Sequence, residues 1–138
     1  MSTNKILIAG VIGGVVAFIL GFLTYGIVLS DFWEANTGTA TGVMKADDEI
    51  LIIPMIIGHL TWGMLFALIF GRWANIKTFA TGAKAGAAIG LLCTASIDLV
   101  YLATMNISTT TSTIVNLLCV AFISAIVGGA VGWFLGRE

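Results

Sequence analysis

Two ionisable side chains, His59 and Asp98, stand inside otherwise uncharged apolar runs, and they are the residues of this chain best placed to do chemistry. An imidazole and a carboxylate at matching depth can hold a polar ligand, pass a proton or satisfy each other. His59 lies about ten residues into one run and Asp98 about eight from the end of another, so each is roughly 12–15 Å deep in a helix. Helical spacing puts Trp62 and Gly63 on the His59 face, and Thr94 and Tyr101 on the Asp98 face. Tyr25 lies at a compatible depth in the first run. The sharper expectation is one polar cluster of Tyr25, His59, Asp98 and Tyr101, with Thr94 at its floor and Trp62 beside it. The plainer expectation is a buried His–Asp pair that satisfies itself and pins helix register. A lone Asp at that depth costs about 2.5–3.5 kcal/mol on insertion scales, so it must find a partner.

Other chemistry has less support. No Ser or Cys stands near His59 in a nucleophile motif, so no catalytic residue is assigned. A single His can ligate haem, but nothing else marks a haem pocket and no cofactor is expected. Cys93 and Cys119 fall at different depths inside apolar runs, which reads as packing and argues against a disulfide. No metal-ligand spacing is present, and the acids Asp31, Glu34, Asp47, Asp48 and Glu49 lack the spacing of a calcium loop.

The elements that position these residues follow from the charge pattern. Ile6–Ser30, Ile50–Gly71, Ala85–Ile97 and Leu99–Gly136 contain no Lys, Arg, Asp or Glu. A helix of about 20 apolar residues crosses a hydrocarbon core of about 30 Å. The expected spans are residues 6–29, 50–71, 79–105 and 114–135. With 138 residues, 59% apolar and only 9% charged, the chain is read as one all-α transmembrane domain over 1–138, a four-helix bundle. A barrel would need short alternating strands, which are absent. The first run is 25 residues, longer than the roughly 7–15 of a cleavable signal core, so it is read as a retained helix.

Lys5, Arg72, Lys77, Lys84 and Arg137 fall on one side when four spans are threaded, and the five acids of the first loop fall on the other. The positive-inside rule then places both termini inside. Trp33 marks the outer edge, Trp73 and Trp133 the inner one, while Trp62 sits near mid-span. A net charge of −1 with no basic patch excludes nucleic acid as a partner and offers no headgroup-binding cluster.

Small residues recur every four positions: Gly82, Gly86 and Gly90; Ser124, Gly128, Gly132 and Gly136; Gly63, Ala67 and Gly71; and, in the first span, Gly10 with Gly14 and Ala17 with Gly21. Such stripes let helix backbones approach closely. They suit contacts inside one bundle, and equally a homo-oligomer or another membrane protein as partner alongside lipid.

The segment Gly21-Phe-Leu-Thr-Tyr25-Gly26, with Asp31-Phe-Trp33-Glu-Ala-Asn36-Thr-Gly38 and the later stretch from Trp73 to Gly86, resembles a family of small four-span bacterial membrane proteins grouped as a domain of unknown function. The resemblance implies a multi-pass protein of the bacterial inner membrane and brings no activity with it. The expected function is a non-enzymatic interaction or accessory component. The alternative is a binding or proton-coupled transport protein that uses the His59–Asp98 cluster.

Overall fold

The computed structural model describes residues 1–137. Four helices are long and apolar enough to cross a membrane: Thr3–Val28, Ile52–Ala74, Phe79–Thr104 and Thr110–Leu135. Helix α1 (Thr3–Gly21) continues as a π-helical stretch, Phe22–Val28, and a short α2 (Ser30–Ala35) follows. A 3₁₀ turn at Asp47–Glu49 precedes α3 (Ile52–Leu68), which widens into π-helix over Ile69–Ala74. Helices α4 (Phe79–Thr104) and α5 (Thr110–Leu135) complete the chain.

Capping chemistry moves several boundaries from the hydropathy limits. Ser2 accepts the Lys5 N–H and starts α1 three residues early, before the apolar run begins. Thr109 accepts the Ser112 N–H at 3.1 Å while Ser112 Oγ accepts the Thr109 N–H at 2.9 Å, a reciprocal box that starts α5 within the polar connection. The second span runs past Gly71 to Ala74 and stops where Asn75 adopts a left-handed conformation, φ 50°. The acidic triplet does not cap α3: the Glu49 carboxylate accepts the Ala46 N–H instead. Pro54 occupies the first turn of α3, where its missing N–H costs little.

The small-residue stripes decide which helices pair. Helix α4 lays Gly82, Gly86 and Gly90 against Ser124, Gly128 and Gly132 of α5, so close that a Cβ on Gly86 would reach Gly128 Cα at 3.0 Å. Helix α1 lays Gly10, Gly13 and Gly14 against α3, where a Cβ on Gly14 would meet Leu60 Cα at 2.7 Å and a Cβ on Gly13 would meet Gly63 Cα at 3.1 Å. Contacts between α1 and α5 join the two pairs, while α3 and α4, consecutive in the chain, scarcely touch. The stripes are therefore occupied inside the chain.

The core is concentrated toward one end. Ile6, Ala9, Phe66, Ala67, Phe70, Val127, Val131 and Leu135 are buried there. At that end Lys5 Nζ donates to the Arg137 carbonyl, Arg72 donates to Thr3 Oγ1 at 2.6 Å, and the Arg137 guanidinium lies 4.0 Å from the Trp133 ring centroid. Lys5, Arg72 and Arg137 thus gather at a closed end. At the opposite, acidic end the first loop is tied to the α4–α5 connection by the Thr37–Ser108 bridge and the Ala40 N–H on the Asn106 carbonyl, 2.9 Å. Between these ties and the core, the helices splay. Every residue from Leu51 to Gly58 is exposed, and α4 buries nothing beyond Gly90.

Candidate functional site

Because α3 pairs with α1 and α4 pairs with α5, the α3–α4 side of the bundle stays open at its acidic half. The opening is a cleft of about 440 Å³. Pro54, Met55, Gly58, His59 and Trp62 of α3 form one wall and Thr94 of α4 the other. Its floor comes from α1 (Ala17, Gly21), Tyr25 in the π-helical extension, and α5 (Val120, Ile123, Ser124). A smaller recess of about 210 Å³ adjoins it, lined by Trp62, Cys93, Thr94, Ile97 and Asp98. Trp62 and Thr94 border both spaces.

His59 and Asp98 do not form the expected pair: among the described residues no hydrogen bond or ion pair joins them. Their helices are not close neighbours, because the glycine stripes commit each to a different partner. His59 Nδ1 lies 2.7 Å from the Met55 carbonyl one turn back. A carbonyl only accepts, so Nδ1 carries a proton, and in the neutral form of the ring Nε2 is then an acceptor. The ring is held edge-to-face on Phe18, centroids 5.3 Å apart at 77°. A Cβ on Gly21 would lie 3.1 Å from Nε2, so the glycine makes room for the imidazole rather than for another backbone. Nε2 has no hydrogen-bond partner among the described residues.

Asp98 belongs to a different construction. Its Oδ2 accepts the Asn116 amide at 2.6 Å, and Asn116 Oδ1 accepts the Tyr25 hydroxyl at 2.7 Å. The chain Tyr25–Asn116–Asp98 ties α1, α5 and α4 together. It depends on the π-helical stretch, which changes the phase of the helix ahead of Tyr25; the Leu29 N–H bonds back five residues to the Thr24 carbonyl at 3.0 Å. An amide accepts at its oxygen and donates at its nitrogen without passing a proton between them, so this arrangement anchors helices. Asn116 was not among the expected site residues. The available signal was a neutral amide in an apolar span, a residue type that membrane helices use to bond one another.

Of the expected cluster, Tyr25, His59, Thr94 and Trp62 line the cleft, and Asp98 lies in the adjoining recess. Tyr101 is not a member: it is 41% exposed and makes no side-chain hydrogen bond among the described residues. Its offset from Asp98 carries it to the outward side of α4, since Asp98 turns toward α5 to reach Asn116 rather than toward α3. Trp62 packs edge-to-face on Phe66 at 5.4 Å, which fixes its ring between the cleft and the core. Ser124, fully buried on the floor, holds an Oγ with no hydrogen-bond partner among the described residues. Cys93 and Cys119 are free thiols, and no group of His, Cys, Asp and Glu among the described residues could hold a metal ion.

No protein-family model, curated protein or solved structure matches this chain.

Proposed function

We propose that this chain is a non-enzymatic, multi-pass protein of the bacterial inner membrane that binds a small membrane-soluble molecule in the α3–α4 cleft. The observation that carries the reading is the His59 imidazole, fixed by Met55 and Phe18 with an unshared Nε2 beside a 440 Å³ apolar space. Binding sites of this kind are apolar concavities of about 300–1,000 Å³ with a few placed polar groups. In the membrane the cationic end faces the cytoplasm, both termini are inside, and the cleft opens sideways toward the outer leaflet.

The expectation of an interaction or accessory component rested on the small-residue stripes. Their occupation within the chain moves the weight of the functional reading to the cleft. Proton relay draws less support, because Asn116 interrupts the polar chain that leads from Tyr25 to Asp98. The bacterial inner-membrane location in this proposal rests on the likeness to small four-span bacterial proteins in the segments around Tyr25 and Trp73.

Gly58 supplies the test. A Cβ there meets nothing within 4 Å, so a side chain can be added at the cleft wall without displacing backbone. Native mass spectrometry of the chain released gently from membranes should find an adduct of discrete mass that Gly58→Phe abolishes and Gly58→Ala retains. An adduct-free chain, or equal retention by Gly58→Phe, would contradict cleft binding.

A further inference from the structure

We infer that the occupant of this cleft is a lipophilic molecule whose head is a hydrogen-bond-donating hydroxyl, such as an alkylphenol, a quinol or a long-chain alcohol; this rests on the cleft-binding reading above. The polar inventory of the site selects that chemistry. With Nδ1–H committed to the Met55 carbonyl, Nε2 of the neutral His59 imidazole is an acceptor. Tyr25 already donates its hydrogen to Asn116, so its oxygen has only acceptor capacity left for the cleft. Both groups ask for a donor.

Charge excludes the main competitors. No Lys or Arg lines the cleft, so a phosphate or carboxylate head would lose its hydration without a counter-ion. The nearest carboxylate, Asp98, lies in the adjoining recess with Oδ2 bonded to Asn116, so an ammonium head has no anion in the cleft to replace its water. A neutral hydroxyl incurs the smaller desolvation cost and recovers it in one bond to Nε2. Pro54, Met55, Gly58 and Ile123 are apolar and suit a hydrocarbon or aromatic body, while the Trp62 indole N–H and the Thr94 hydroxyl on the walls can donate to the oxygen of the same head. The open α3–α4 side lets the tail leave laterally into lipid, with no need for an aqueous mouth.

The test uses the unaltered full chain in phosphatidylcholine vesicles and an alkylphenol that carries a diazirine on its alkyl chain. Photolabelling should saturate and map to Met55, Trp62 or Thr94. The parent alkylphenol should suppress it at concentrations at least several-fold lower than its methyl ether does. The ether keeps the shape and the acceptor oxygen and lacks only the donor, so the comparison isolates the bond the head donates, and His59→Leu assigns its partner. In His59→Leu, phenol and ether should compete equally. Saturable labelling with equal competition by phenol and ether in the unaltered chain would overturn the hydroxyl assignment and leave cleft binding standing. Non-saturable labelling spread over the lipid-facing helices would overturn both.

Discussion

His59 donates its Nδ1 proton to the Met55 carbonyl at 2.7 Å, one turn back on α3, and that bond separates it from Asp98 as firmly as the distance between their helices does. The histidine is left facing a cleft with one free nitrogen. The aspartate is drawn away into a three-helix clamp through Asn116. The two residues that interrupt the apolar spans therefore serve different ends.

The first prediction follows from that division. In a double-mutant cycle read by unfolding in mixed micelles, Asn116→Ala and Asp98→Ala should couple by about 0.6–1.7 kcal/mol, between the average and the maximum found for hydrogen bonds between membrane helices. His59→Ala and Asp98→Ala should instead add to within about 0.5 kcal/mol, as independent sites do. Coupling in the second pair and additivity in the first would reverse the assignment.

Glycines in different settings should respond in opposite directions. Gly128→Ala inserts a Cβ between α5 and α4, 2.9 Å from Gly86 Cα, and should lower the melting temperature clearly. Gly58→Ala meets open space and replaces a poor helix former, which is worth about 0.5–1 kcal/mol in favour of the variant. Thermal denaturation of both in the same detergent compares them directly. Equal losses would mean that the α4–α5 seam is not the tight contact described.

Four long apolar helices, the stripe positions and the gathering of most cations at one end were legible in the sequence, because each follows from composition at fixed helical spacing. The pairing of helices was not. A short connection between Ala74 and Phe79 suggests that α3 and α4 pack together, yet each carries a small-residue face that fits a different helix better, and those faces win. His59 and Asp98 could be identified as the functional candidates but not joined or separated without that pairing. Asn116 escaped notice because it carries no charge. Tyr25 could be placed by depth, but its direction depends on a local change from α to π winding that has no plain residue signature.

Orientation is tested by cysteine accessibility in a Cys93→Ser, Cys119→Ser background. Thr39 and Lys77 are both exposed, at the acidic and cationic ends respectively. Lys77 is preferable to Asn75, whose φ of 50° would strain a cysteine. An impermeant maleimide on intact cells should label Thr39→Cys and leave Lys77→Cys unreacted until the membrane is opened. The opposite pattern would invert the topology.

The left-handed stop at Asn75 should show a sharp residue preference. Asn75→Gly should keep the stability of the parent, while Asn75→Val should lose about 1–2 kcal/mol, since a β-branched residue resists that conformation. Parent-like melting of the valine variant would indicate that the α3 terminus is not held in this geometry.

The most direct measurement of the central claim uses the fact that the chain contains a single histidine. With ¹⁵N-labelled imidazole in lipid vesicles and mildly alkaline buffer, one pair of ring nitrogen resonances reports His59 alone. Nδ1 should be protonated and Nε2 unprotonated, and the Nε2 resonance should move saturably when an alkylphenol is added while Nδ1 stays in place. A ring protonated at Nε2 instead, or an Nε2 signal that the phenol leaves unmoved, would contradict that claim.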